Sequence, residues 1–227
     1  SILLLSCLSL PITYKPPALI TLIFCKEMFM KKGIMTIVLF LTTYVFGEVS
    51  SNFTFSSNYI WRGMTQTMDS PGYSGGFDYS SESGFYAGTW GSNVSFGGAG
   101  LELDTYFGYS GESEGGLGYD IGYINYGYPE VDDADFSEVY LAFSYEGLGF
   151  SYYIGDEFGD YYDVSYGFGD FSVSYGDYED TGSNFLLGYG FSLGDYDASV
   201  GYSSFSAEAA SGLEDEDGLF FTVGASF

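Results

Sequence analysis

From about residue 48 onward, aromatic and aliphatic side chains recur at every second position over stretches of roughly ten residues, broken by clusters of Gly, Asp and Ser. Successive side chains of a strand point to opposite faces, so each stretch predicts a β-strand with one apolar face. "NFTFSSNYIW" sets Phe53, Phe55, Tyr59 and Trp61 on one side. "LELDTYFGY" sets Leu101, Leu103, Phe107 and Tyr109 against Glu102 and Asp104, and "SEVYLAFSY" sets Val139, Leu141, Phe143 and Tyr145 against Glu138. Counted this way, residues 48–227 hold about twelve strands, within a range of roughly ten to fourteen. No helical period competes with them.

Two-residue turns such as Gly169-Asp170 and Gly194-Asp195 force antiparallel neighbours. Longer connections ("RGMTQTMDSP", "EVDDAD", "GDEFGD", "DYEDTGS", "SAEAASGLEDED") alternate with the short ones, which gathers most long loops at one end of the sheet. "GGA" near residue 98 and "GESEGG" near residue 113 reverse the roles. The terminal "GLFFTVGASF" keeps Leu219, Phe221, Val223, Ala225 and Phe227 on one parity, as expected of a strand that closes a barrel.

Alternation alone fits both a soluble sandwich and a membrane barrel. The apolar face here is loaded with Tyr and Phe near strand ends, as an aromatic girdle requires, while the other face is Gly, Ser, Asp and Glu. Glu102, Asp104, Asp120, Glu138, Asp163 and Asp197 all fall on the parity opposite the apolar stripe of their own strand. A charge facing lipid at mid-depth costs up to a few kcal/mol, so this placement points to a wet or hydrogen-bonded interior. The expected fold class is therefore all-β, an antiparallel transmembrane β-barrel, and its closure would remove aggregation-prone edges.

Charge divides the chain. Of 227 residues, 31 are Asp or Glu and 5 are Lys or Arg, with no His. Lys15, Lys26, Lys31 and Lys32 precede residue 47, and Arg62 is the sole base after it. Such a chain cannot grip phosphate backbones, which excludes nucleic acid as a partner. Residues 30–47, "MKKGIMTIVLFLTTYVFG", have the basic start and apolar core of a secretory signal peptide cleaved near Gly47. Residues 1–29 read as sequence upstream of the true start, the alternatives being a membrane anchor or a lipid attachment at Cys7. Both cysteines, Cys7 and Cys25, lie in these segments, so residues 48–227 must be stable without disulfides.

"SSNYIWRGMTQT", "GGFDYSSESGFYAGTWGSNV", "LELDTYFGYSG", "DIGYINYGYP" and "SEVYLAFSY" resemble, in order and spacing, the TorF porin family of bacterial proteins. The likeness covers residues 50–145; beyond them only the hairpin pattern is shared. The resemblance implies an outer-membrane barrel in a Gram-negative bacterium, and it supplies neither a solute nor functional residues. Thr65 stands where the family has Ser, and the acidic loops are heavier.

Without histidine, Ser-His catalysis and His-rich metal sites are excluded, and no carboxylate pair stands out among so many acids, so no enzymatic role and no cofactor are expected. Asp132, Asp133 and Asp135 share one long loop, Asp177, Glu179 and Asp180 another, and Glu214, Asp215, Glu216 and Asp217 a third. These are weak divalent-ion candidates against the plainer role of solvated acidic loops, which would meet outer-membrane lipid and lipopolysaccharide.

The expected pore lining is Asp78, Glu102, Asp104, Asp120, Glu138, Asp163 and Asp197, a carboxylate set that favours cations, with Arg62 placed to pair with an inward acid such as Asp78. The expected activity is passive diffusion of small hydrophilic solutes. The alternative is a non-conducting barrel, plugged by its own Tyr and Ser hydroxyls, with a structural or surface-interaction role through the acidic loops. The strand ending at Phe227 would engage the barrel assembly machinery, and homo-oligomers are compatible with either role.

Overall fold

The structure, a computed structural model, describes residues 47–156 and 159–227. The expected upstream stretch 1–29, with Cys7, and all of the signal segment 30–47 except Gly47 lie outside the described residues. Twelve antiparallel strands close into a barrel: β1 (Gly47–Ser56), β4 (Gly72–Ser81), β5 (Phe85–Phe96), β6 (Ala99–Glu112), β7 (Gly118–Gly127), β8 (Phe136–Tyr145), β9 (Leu148–Gly155), β10 (Tyr161–Phe168), β11 (Phe171–Tyr178), β12 (Gly182–Leu193), β13 (Tyr196–Ala207) and β14 (Glu216–Ser226). A small hairpin, β2 (Ile60–Trp61) and β3 (Met64–Thr65), lies in the first connection. β9, β10 and β11 coincide with the alternating stretches "LGFSYYIG", "YYDVSYGF" and "FSVSYGDY".

Each strand pairs with its chain neighbours, and β1 pairs with β14 to close the ring, with Phe53 opposite Ala225 and Phe55 opposite Val223. The seam extends to the last residue: Ser51 N donates to Phe227 O at 3.0 Å, and Phe227 N donates to Ser51 O at 2.8 Å. Within the barrel no strand edge is left unpaired, which removes the template for aggregation that an open sheet would offer.

The distribution of side chains is inside out. Phe77, Leu103, Phe107, Ile121, Val139, Leu141, Phe143, Ile154, Val164, Tyr175, Leu187, Val200 and Phe221 all stand exposed on the outer face. A water-soluble monomer rarely exposes contiguous apolar patches beyond a few hundred Å². A belt of this kind on a closed twelve-strand barrel fits an outer-membrane protein, whose solvent on that face is lipid. Outward acids Asp177 and Asp217 sit at strand ends, clear of the belt.

One rim carries the connections 57–71, 97–98, 128–135, 179–181 and 208–215 and the facing ends of β9 and β10 at Gly155 and Tyr161; the opposite rim carries 82–84, 113–117, 146–147, 169–170 and 194–195, together with Gly47 and Phe227. We call these the loop rim and the turn rim. The two reversed connections are as expected, whereas "DYEDTGS" shrinks to three linking residues because Asp177, Tyr178, Gly182 and Ser183 join the β11–β12 ladder.

The first strand departs from its sequence pattern. It stops at Ser56, and Tyr59 and Trp61 leave the outer face and turn into the barrel. Their apolar parity is satisfied by protein: Trp61 meets Tyr126, Phe136 and Tyr178 edge to face, and Tyr59 meets Trp90. The only sizeable core of the described residues forms here, around Val94, Ala99, Tyr126, Tyr128 and Phe136.

Candidate functional site

The segment 57–71 enters the loop-rim mouth as a tight hairpin. Arg62 and Gly63 both have positive φ, 48° and 87°, and turn the chain between β2 and β3. At Gly63 an added Cβ would lie 2.6 Å from Asn184 Cβ and 3.0 Å from Phe205 Cβ, so the hairpin tip sits against the inner wall of β12 and β13 with no room for a side chain. Gly63→Ala is expected to loosen the segment and cost about 1–3 kcal/mol, from backbone strain and overlap together. Urea unfolding of the refolded protein, followed by tryptophan fluorescence, measures it.

Hydrogen bonds tie the hairpin down on several sides. Thr67, fully buried, donates through its hydroxyl to Ser70 O at 2.5 Å and accepts from Tyr59 N at 3.1 Å. Thr65 N donates to Glu216 Oε2 at 2.7 Å, and Ser95 N donates to Gln66 O at 2.8 Å. Thr65 Oγ1 also donates to Asn58 Oδ1 at 2.7 Å, a bond that serine in its place would retain.

Arg62 forms the one ion pair among the described residues. Its Nη1 and Nη2 donate to Glu138 Oε1 and Oε2 at 2.8 and 2.6 Å, a bidentate fork with side chains 6% and 0% exposed. Asp78, the expected partner, lies elsewhere, accepting from Asn52 Nδ2 at 3.3 Å and from the Tyr106 hydroxyl. The reason is depth: β8 begins at the loop rim, so Glu138 lies level with the infolded segment, whereas Asp78 is near the turn-rim end of β4. Four aromatic rings surround the guanidinium, Tyr161 at 4.0 Å, Trp61 at 4.3 Å, Tyr178 at 4.8 Å and Tyr153 at 5.0 Å from its carbon to their centroids. Burial works against its charge, but the bonds and charge of Glu138 outweigh burial and leave its pKa above the ordinary value.

All seven expected pore-lining acids lie on the inward parity, but they divide by depth. Glu102, Asp104 and Glu138, near the loop rim, are sealed from solvent at 2%, 4% and 1% exposure. They are packed into the closed mouth, where a sequence pattern of inward acids suggests a wet pore. Glu102 accepts from the Tyr59 hydroxyl at 2.9 Å and the Tyr128 hydroxyl at 3.1 Å, and Tyr126 donates to Glu138 at 3.2 Å. Burial, and then the Glu102 carboxylate, hold the Tyr59 phenol well above its ordinary pKa, so it stays a donor. Asp104 Oδ1 has no hydrogen-bond partner.

Asp78, Asp120 and Asp163 are half-buried and Asp197 is exposed, all reached from the lumen. Tyr86 donates to Asp120 at 2.7 Å and shares a short hydrogen bond with Tyr140. The inner wall is thus asymmetric. Tyr86, Trp90, Tyr106, Tyr126 and Tyr140 fill the β5–β8 side, whereas β10–β13 present Ser165, Gly167, Ser172, Ser174, Gly188, Gly190 and Ser199. Below the mouth on this side, inward Gly167, Ser172 and Gly190 are exposed and Ser165, Ser174 and Gly188 half-buried.

The sequence reading gave Tyr and Ser hydroxyls on the inward acids only as its alternative, without naming the tyrosines, and it did not include the aromatic ring around Arg62. A signal existed: Tyr86, Tyr106, Tyr140 and Tyr153 occupy the polar parity of their strands, where an aromatic must face inward. Space for one such ring comes from the neighbouring strand, since a Cβ on inward Gly122 would lie 2.6 Å from the Tyr140 ring.

Of the candidate divalent-ion acids, Asp177, Glu179 and Asp180 line one cavity with Asp160 and Glu208, whereas the other two sets are dispersed. Asp135 accepts from Tyr128 N at 2.7 Å, Asp215 from Ala207 N at 2.9 Å and Glu216 from Thr65 N, while Asp132, Asp133, Glu214 and Asp217 are exposed. Among the described residues no three acidic, His or Cys side chains converge on a metal-sized site.

A family model described as "Bacterial protein of unknown function (Gcw_chp)" matches residues 46–212. Comparison with curated proteins gives no match.

Proposed function

We propose, for a chain that belongs to the Gcw_chp family of bacterial proteins of unknown function, an outer-membrane channel for small hydrophilic solutes, cations ahead of anions, whose loop-rim mouth is shut by residues 57–71. The observation that carries this function is the charge of the lumen below the mouth. Asp78, Asp120, Asp163 and Asp197 face it, and Arg62, the sole base among the described residues, is spent on Glu138. Uncompensated carboxylates in a narrow, low-dielectric tube raise the local cation concentration and repel anions. The resemblance to TorF porins supports the same function. The exposed apolar belt supports residence among outer-membrane lipid and lipopolysaccharide, β14 would present the assembly signal, and no catalysis is assigned.

A second function, a non-conducting barrel that acts through its acidic loops, is favoured by the dryness of the mouth, where Glu102, Asp104, Glu138, Tyr126 and Tyr128 are all buried.

Single-channel recording in a planar bilayer separates the two. The refolded protein is expected to be mostly silent. A variant with residues 60–67 replaced by a Gly-Ser turn is expected to give discrete currents with a cation-selective reversal potential in a KCl gradient. Silence from that variant, folded and inserted as judged by heat-modifiable gel migration, would leave the non-conducting barrel.

A further inference from the structure

The surroundings of Arg62 have the form of a ligand site filled by the protein itself. Four rings lie within 4.0–5.0 Å of one guanidinium carbon, and the Glu138 fork is matched to a planar two-donor group. This chemistry selects a guanidinium over a compact ammonium, which cannot form both parallel bonds. Directly beside Arg62, a cavity of about 250 Å³ is walled by Trp61, Tyr126, Tyr153 and Tyr161 and floored by Ser151 and Asp163. Asp163 is in no ion pair among the described residues. From it, the β10 inner wall runs past half-buried Ser165 and exposed Gly167 to the turn rim.

We infer that this cavity and the ring around Arg62 together form a binding site for small alkylguanidinium solutes. The solute's charge lands at Asp163 and then exchanges with Arg62 for Glu138 and the aromatic rings. The exchange removes the ion pair that holds 57–71 in the mouth. Its consequence for current rests on the channel function proposed above; binding does not.

Chemical rescue tests the site. In Arg62→Gly the cage is vacant, and glycine tolerates the φ of 48° at that position. Proteinase K should cut the 57–71 segment of this variant rapidly, and millimolar methylguanidinium should slow that cleavage by about tenfold. Methylammonium should protect less, sodium chloride at equal ionic strength should not protect, and adding Glu138→Gln should abolish the rescue. Equal protection by sodium chloride, or none by methylguanidinium, overturns the inference.

If Arg62→Gly fails the heat-modifiability test of folding, the wild-type barrel is titrated with methylguanidinium while tryptophan fluorescence is followed. A saturable change that is lost in Trp61→Phe supports the site, and a linear or absent response overturns it. Saturable binding to the wild-type barrel, together with no current from the shortened-loop variant, keeps the site and removes the channel function.

Discussion

Glu138→Ala is expected to lower stability by about 3–5 kcal/mol, because it strands the Arg62 charge in a dry mouth. The loss is not the worth of the ion pair as such. In the intact protein the guanidinium is 6% exposed, and both its outer nitrogens are bonded to the carboxylate. Without Glu138 the four rings supply only a weak attraction, worth about 0.5–2 kcal/mol each at most, and no second carboxylate takes its place in an ion pair. Tyr126 also loses its bond to Glu138 Oε2. The segment 57–71 would then either pull Arg62 out to water or unfold locally.

Replacing both partners, Arg62→Leu with Glu138→Leu, should cost clearly less than Glu138→Ala, since no uncompensated charge remains. Urea unfolding in lipid vesicles measures both. A wild-type midpoint for Glu138→Ala would show that the guanidinium finds water without moving the segment, and the mouth would then not be fastened by this pair.

Leu141→Arg is expected to destabilise the folded, inserted protein by about 2–4 kcal/mol, because it places a charge on the lipid face near the middle of β8. Leu141 is 42% exposed and lies opposite Ile121 on β7 and Tyr152 on β9, both outward. Ser174→Arg serves as the inward control. Ser174 lies midway along β11 on the small-residue side of the lumen, opposite Ser165 and Leu186, and is half-buried. It should fold with a loss of about 1 kcal/mol or less, since lumen substitutions alter selectivity more than stability. Folding efficiency into vesicles, read by heat-modifiable migration, gives the comparison. Equal behaviour of the two variants would mean that the outer belt does not face lipid, and the membrane assignment would fall with it.

The strands, their faces and their antiparallel order were determined by the sequence alone. A period of two is a purely local property, and one face of each strand must be apolar wherever that face meets lipid. Hence the inward side of Glu102, Asp120 or Asp163 could be read from flanking residues, as could the closing role of "GLFFTVGASF".

Only the tertiary structure decided what lies inside. Tyr59 and Trp61 continue the parity of β1, yet they leave the strand because a mouth lined by Tyr126, Phe136 and Tyr178 buries them better than lipid beyond Ser56 would. Parity says that Glu102, Glu138 and Asp78 point inward but not at what depth, and depth alone assigns Arg62 to Glu138, leaves Asp78 to Tyr106, and makes one set of acids dry and the other wet. Those contacts join residues up to 76 apart in sequence across the lumen. They are set by barrel closure and stagger, for which no local pattern carries a signal.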